Sequence, residues 1–386
     1  MNVFETDRNY IAGTYSRFPV EIVKGEGARL YDAQGKAYID MGSGIAVNLF
    51  GASDEVWKRA VIEQLDQIAH TSNLYYTRPG ARLAQMLCER TGFKRVFFSN
   101  SGAEANECAI KTARKWASDT YGTGHSTIIT LRGSFHGRTI ATISATGQDS
   151  FHTHFGPFTP GFVYAEPNDL ASVEALLDKG DCAAVMLECV QGEGGVLPLD
   201  AEFLTGVEKL CREKGALYII DEVQTGNGRC GALYAYMNYG LSPDIITTAK
   251  GLGGGLPIGA CMLGDKVQDT LTPGTHGSTF GGNPACCAGA ISILSRLTDE
   301  LMAEVRAKAE YITRALTGAP GVISVTGMGL MIGVEPEKPA KDVIAALIDK
   351  GVLALTAKHK VRLLPPLTIP WDELQTAVEI LKEALV

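Results

Sequence analysis

Lys250 closes the run Asp-Ile-Ile-Thr-Thr-Ala and is followed at once by Gly-Leu-Gly-Gly-Gly. An ammonium at the end of so apolar a segment is costly unless it is paired, neutral or used covalently. Four other apolar runs end in residues that could share a site with it. "ALYIID" stops on Asp221, and "AAVMLE" stops on Glu188, with Glu193 just beyond in "QGEGG". "STIITL" leads into Phe135, His136 and Arg138, and "RVFFS" into "NSGAEANE". There Ser99 or Asn100 stands near a helix start, with Ser101, Gly102 and Ala103 in the first turn. Such small residues leave N–H groups open to an anion, helped by the helix dipole. Each feature alone has an ordinary explanation: a capped helix, a paired acid, a snorkelling lysine. Together they describe a receptor for a charged, planar, phosphorylated ligand. Pyridoxal phosphate meets every demand. Its aldehyde needs a lysine, its ring nitrogen an acid, its faces an aromatic or branched side chain, and its phosphate a helix N-terminus.

The runs that carry these residues alternate with helical periods from about residue 95 to 262, at Glu104–Ser118, Leu170–Asp178 and Ala201–Lys214. With "GFVYA" and "IGACML" the runs make seven strands. Strands apolar on both faces and joined by helices predict a mainly parallel, covered sheet, with ligands outside the carboxyl ends of its strands. The flanks differ. Residues 1–50 hold two short strands around "ARLYDAQGKAYIDM", with a turn at "DAQGK". After residue 283 a helical period runs from Ala285 to about Leu316 and reads as one long interdomain helix. It is followed by strands, a helix near Ala340–Lys350 and a last helix from Trp371. We therefore expect a large domain over 51–282 and a smaller α+β domain built from 1–50 and 283–386.

Composition narrows the function. The chain has 386 residues, 45% hydrophobic, 20% charged, net charge −8 with no charge blocks. That excludes a nucleic-acid footprint and suits small-molecule chemistry. No run approaches the roughly 18 apolar residues of a membrane span, and "MNVFETDRNY" lacks the apolar core of a secretory signal. Nine scattered cysteines without a Cys-x-x-Cys read as buried thiols of a reducing, cytoplasmic compartment. His152 and His154 have no acid or thiol at ligand spacing, so no metal is expected. "GNGRCG" (226–231) matches Gly-x-Gly-x-x-Gly but lies five residues beyond its strand and opens no clear helix, so it is a poor dinucleotide site. "KGLGGGLP" places its lysine before the glycines, unlike a P-loop.

"SNSGAEANECAIKTARK", "FHGRT", "VQGEGG", "DEVQTGNGRCG", "TTAKGLGGGLPIGA", "HGSTFGGNP" and "VRLLPPL" together resemble the class III (subgroup II) aminotransferases, in order and over nearly the whole chain. The resemblance implies the pyridoxal-phosphate fold type I and a homodimer with active sites at the subunit interface. It makes Lys250 the covalent anchor of the cofactor and Asp221 the partner of its ring nitrogen. Phe135 and Val223 would sandwich the ring, and Gln224 would reach its 3-oxygen. Ser101, Gly102 and Ala103 would hold the phosphate, joined by Thr279 of the other subunit. Arg138, with Ser278 close by, would bind the donor carboxylate. Arg362 would take the 2-oxoglutarate α-carboxylate and be masked by Glu193 otherwise. Tyr15 could hydrogen-bond the donor carboxylate.

The chain departs from that family at "FGASDEVW", where a Gly-His-x-His-Pro segment is usual, at Cys189 in place of proline, and at Cys230 in place of threonine. Gly44 stands where relatives acting on free ornithine carry tyrosine, leaving room for an acylated donor. The expected substrates are thus N-acetylornithine and 2-oxoglutarate, with succinylornithine, ornithine and 4-aminobutyrate as open alternatives. A cofactor-binding regulator would need a DNA-binding appendage, and the chain has no basic helix-turn-helix segment.

Overall fold

The computed structural model describes residues 2–386, and at its centre stands a seven-stranded sheet. Its strands are β1 (Arg95–Ser99), β2 (Thr127–Leu131), β3 (Phe162–Ala165), β4 (Cys182–Leu187), β5 (Leu217–Asp221), β6 (Ile245–Thr248) and β7 (Gly259–Leu263). They lie in the order β1-β7-β6-β5-β4-β2-β3. Only β7 runs against its neighbours, so the carboxyl ends of the other six share one edge. Every residue of β4, β5, β6 and β7 is buried, which is why those runs are apolar without alternation. The helix Gly102–Tyr121 packs across β4 to β7 on one face, and Ala201–Lys214 against β4 and β5.

The chain ends build two further sheets. Ile22–Glu26, Arg29–Asp32 and Ala37–Asp40 form an antiparallel meander, and Val352–Leu353 joins it in parallel beside Ala37–Asp40. The "DAQGK" turn forms as expected, with Asp32 Oδ1 accepting from the N–H groups of Gln34 and Lys36 at 3.0 and 2.8 Å. Val322–Met328, Met331–Pro336, Lys360–Leu363 and Leu355–Ala357 make the other sheet, in that order.

The single long helix expected after residue 283 is two helices, Pro284–Leu294 and Asp299–Leu316. Thr298 caps the second, with Asp299 and Glu300 in its first turn, and that start signal outcompetes continuation. The Arg90 guanidinium secures the break by donating to Leu294 O at 2.5 Å and Leu297 O at 2.6 Å. The first helix packs on Glu55–Leu65 and Arg78–Thr91, the second on Trp371–Leu385. In the unusual "FGASDEVW" stretch, Gly51 at φ 84° lies where a Cβ would come within 2.4 Å of Gly27 O. Asp54 then caps the next helix through Trp57 N at 2.8 Å and takes both terminal nitrogens of Arg296. That loop is therefore fixed by its own acid. Cys189 and Cys230 sit in the core, and all nine thiols are free.

Candidate active site

A cavity of ≈ 530 Å³ opens at the carboxyl edge of the sheet, lined by Lys250, Asp221, Glu188, Phe135, Arg138 and the turn from Asn100 to Ala103, among others. Five separate strand ends thus deliver their residues to one place. Lys250 follows β6 in the left-handed region, at φ 44°. Burial lowers its proton affinity; Glu193 opposes that shift, Arg362 adds to it, and the net direction is down.

Asp221, 3% exposed, receives three donors. Val223 N gives to Oδ1 at 2.9 Å, and Asn106 Nδ2 and His136 Nδ1 both approach Oδ2 at 2.8 Å. Converging donors of this kind suit a carboxylate anion. For His136, burial alone would pull the pKa down. The Asp221 hydrogen bond and charge, with Glu188 behind them, outweigh burial and raise it. Asn106 also donates to His136 O at 2.7 Å and accepts from Thr247 Oγ1 at 2.6 Å. Glu188 accepts from Phe135 N at 2.9 Å and Gly192 N at 3.2 Å, and burial pushes it up to about 7.

The anion end is the start of Gly102–Tyr121. Ser101, rather than Ser99 or Asn100, is the cap, accepting from Glu104 N at 3.2 Å. The first helical bond is Ala105 N to Ser101 O, so the N–H groups of Gly102 and Ala103 precede the ladder at the cavity wall. Glycine is required at 102, since a Cβ would stand 2.5 Å from Val223 Cγ1. Gly137, at φ 136°, is equally confined, with Thr142 Oγ1 2.5 Å from its ideal Cβ. These residues fit pyridoxal phosphate: an open helix start for the phosphate, an acid braced for a ring nitrogen, a lysine of lowered basicity, and Phe135 and Val223 lining the space between.

Arg138 lies over Phe135 and Phe151, 5.7 and 4.6 Å from their ring centres, at the cavity wall. Arg362 donates from Nη1 to Glu193 Oε1 at 2.5 Å and to Gln224 Oε1 at 3.1 Å, and its buried Nε has no protein partner. Burial would raise the Glu193 pKa, but the charge and hydrogen bond of Arg362 hold it below its usual value. Gln224, expected to serve the cofactor, is therefore also part of the Arg362–Glu193 pair. Ser278 Oγ touches Asn100 Nδ2 at 3.2 Å, beside the anion end. Thr279 is exposed and does not line the cavity of its own chain.

Tyr15 is not brought to this cavity. It is 74% exposed, with Arg17 over its ring at 5.2 Å, and lines a neighbouring space of ≈ 580 Å³ with Gly44 and Ile45. The wall of that space is a left-handed turn: Ser43, Gly44, Ile45 and Ala46 have φ of 41°, 63°, 65° and 62°. Asp40 Oδ1 holds it by accepting from Gly42 N and Ser43 N at 2.9 and 2.7 Å, and Ser43 Oγ donates to Leu364 O at 2.6 Å. Sequence reasoning missed Asn106 altogether. A mid-helix asparagine is a poor helix former, and that was the available signal.

A family model described as aminotransferase class-III matches residues 10–385. The chain is 51% identical to an acetylornithine aminotransferase of Haemophilus ducreyi, over 99% of this chain and 98% of that one. It is 46% identical to one of Bacillus subtilis, over 96% of each. Among solved structures, an ornithine aminotransferase from Toxoplasma gondii superposes with a TM-score of 0.95 at 34% identity, covering 99% and 94% of the two chains. An N-acetylornithine aminotransferase from Stenotrophomonas maltophilia gives 0.86 at 36% identity, covering 99% and 98%.

Proposed function

The chain belongs to the class-III aminotransferases, and from that premise we propose that it moves the δ-amino group of N2-acetyl-L-ornithine to 2-oxoglutarate. The products are N-acetyl-L-glutamate 5-semialdehyde and L-glutamate, a step of arginine biosynthesis. The observation that carries the reading is the one cavity in which a lysine of lowered basicity, a braced acid and an open helix start meet Arg138, with Arg362 joined to the cavity wall through Gln224. Pyridoxal phosphate, when bound, supplies an aldehyde that accepts the amine and a ring that takes up the electron pair left by a departing proton.

The residues divide that work. Lys250 would hold the cofactor covalently, and its Nζ would carry the proton of the donor carbon that bears the amine. Asp221, fixed by Asn106, His136 and Val223 N, would hold a proton on the ring nitrogen. Ser101, Gly102 and Ala103 would bind the phosphate, and Phe135 and Val223 would confine the ring. Gln224 would face its 3-oxygen from the Arg362–Glu193 pair. Arg138 and Ser278 would hold the donor carboxylate, and Tyr15 would close on it from the adjacent space. Arg362 would take the keto acid once Glu193 yields.

We also place Thr279 in the phosphate site of a second copy, which makes the enzyme a homodimer; its exposure away from its own cavity supports this. A cytoplasmic location fits nine free thiols, and no described helix is long and apolar enough to cross a membrane. The domain limits 1–50, 51–282 and 283–386 belong to the same proposal.

The test offers one donor at a time, without keto acid, and follows the absorbance of the bound cofactor. N-acetylornithine should discharge it at least about tenfold faster, per unit concentration, than ornithine, succinylornithine or 4-aminobutyrate. Any of those three overtaking it would defeat the assignment.

A further inference from the structure

The glycines of the "GNGRCG" loop are there for close packing. A Cβ on Gly226 would lie 2.7 Å from both Glu222 O and the Tyr234 ring, and one on Gly228 would lie 2.8 Å from the Met302 methyl. Between them stands Asn227, 1% exposed and left-handed at φ 57°. Its Nδ2 donates to Thr248 Oγ1 at 2.9 Å and to Ala249 O at 3.3 Å. Those are the last side chain of β6 and the carbonyl immediately before Lys250. The reversed amide would set oxygen against oxygen at Ala249, so the acceptor contacts fix its orientation.

Lys250 itself is at φ 44°, where a residue with a long side chain is strained unless its neighbours hold it. No side chain but Asn227 hydrogen-bonds the Ala249 carbonyl among the described contacts. On the opposite side of the strand, Thr247 is held by Asn106. The end of β6 is therefore gripped from both faces. One grip leads to Asp221, the other to the 226–231 loop.

We propose that Asn227 is a positioning residue for the reaction: by holding Ala249 O and Thr248 Oγ1 it keeps Lys250 in its left-handed backbone state, with Nζ in the cavity. This rests on the reading of Lys250 as cofactor anchor and proton carrier. The charged groups that face Lys250 are Glu193 from the 191–196 loop, Arg362 from Lys360–Leu363, Asp221 from β5 and Glu188 from the end of β4. Asn227 contributes no charge, so its loss acts through placement alone.

The Asn227→Gly variant tests this, because glycine accepts φ 57° and only the side-chain grip is lost. Asn227→Ser is the second variant, keeping a hydroxyl too short to reach Ala249 O. Three readouts are taken on cofactor-loaded enzyme: borohydride trapping with peptide mapping, the pH midpoint of the bound cofactor's absorbance, and steady-state kinetics. Expected are a shift of the midpoint by about half a pH unit or more and a kcat lower by roughly tenfold to a hundredfold. KM for both substrates should stay within about threefold. A variant with wild-type midpoint and kcat, or one whose loss lies in KM, overturns the role of Asn227. A trapped label on another lysine in the wild type overturns the anchor itself, and with it the proposed function.

Discussion

Replacing Glu193 by glutamine removes one charge from the pair proposed to decide which carboxylate Arg362 receives. The guanidinium is 4% exposed at its side chain and Glu193 30% exposed, with Nη1 and Oε1 2.5 Å apart. Charge centres about 4 Å apart interact by about 4 kcal/mol at an effective dielectric of about 20. Because Glu193 retains solvent contact, half of that, about 2 kcal/mol, is the working figure. A carboxylate arriving at Arg362 in the Glu193→Gln variant escapes that competition, and its affinity should rise roughly thirtyfold. The KM for 2-oxoglutarate should fall accordingly. Free ornithine should gain a second way to bind, through its own α-carboxylate, so α-amine transfer rises relative to δ-amine transfer. Arg362→Leu should slow the 2-oxoglutarate half-reaction roughly a hundredfold while changing the acetylornithine half-reaction by about threefold or less. Rapid mixing of each half-reaction separately, with product analysis for ornithine, reads all of this. Equal losses in both halves for Arg362→Leu, or unchanged regiochemistry for Glu193→Gln, would refute the switch.

Asp221→Ala should lower kcat by about a thousandfold while the protein keeps its fold and cofactor; near-normal turnover would remove the acid from the mechanism. Glu222 is fully buried, accepts from Thr225 Oγ1 and Tyr236 N at 2.5 and 2.8 Å, and burial raises it to about 7. A carboxyl raised on folding contributes stability below its unfolded pKa and loses it as pH rises through about 7, by up to about 3 kcal/mol. Urea unfolding from pH 5 to 8 should therefore show a decline that Glu222→Gln flattens, and parallel curves would reject the assignment. Mixing Thr279→Ala with Lys250→Ala subunits should restore about a quarter of the sites by random pairing; no recovery, with mixed dimers shown to form, would exclude a shared site.

What was legible in the sequence follows from how locally each feature is encoded. The seven strands read correctly because β4 to β7 are buried on both faces, and nothing remote is needed to make such runs apolar. Lys250, Asp221 and Glu188 announced themselves as charges at the ends of those runs. The break after Leu294 was harder. Thr298-Asp-Glu marked a helix start, but the closing partner is Arg90, 204 positions away from Leu294. The same distance hid Asn106, whose contacts with Asp221 and Thr247 span 115 and 141 positions. Neither contact leaves a trace in periodicity.

The turn Ser43–Ala46 was hidden for a different reason. Left-handed backbone costs non-glycine residues roughly 1–2 kcal/mol each, and three of these four carry side chains, one of them the β-branched Ile45. Propensity therefore argues against the conformation that forms. It persists because Asp40, at the end of a strand, fixes its backbone and Leu364, one residue past a strand of another sheet, fixes Ser43. Stability alone would not select such a turn. Its position does account for it: Val47 borders the cavity of Lys250, while Gly44 and Ile45 border the space beside Tyr15. The strained segment thus lies between the place proposed for reaction of the amine and the place proposed for the far end of the donor.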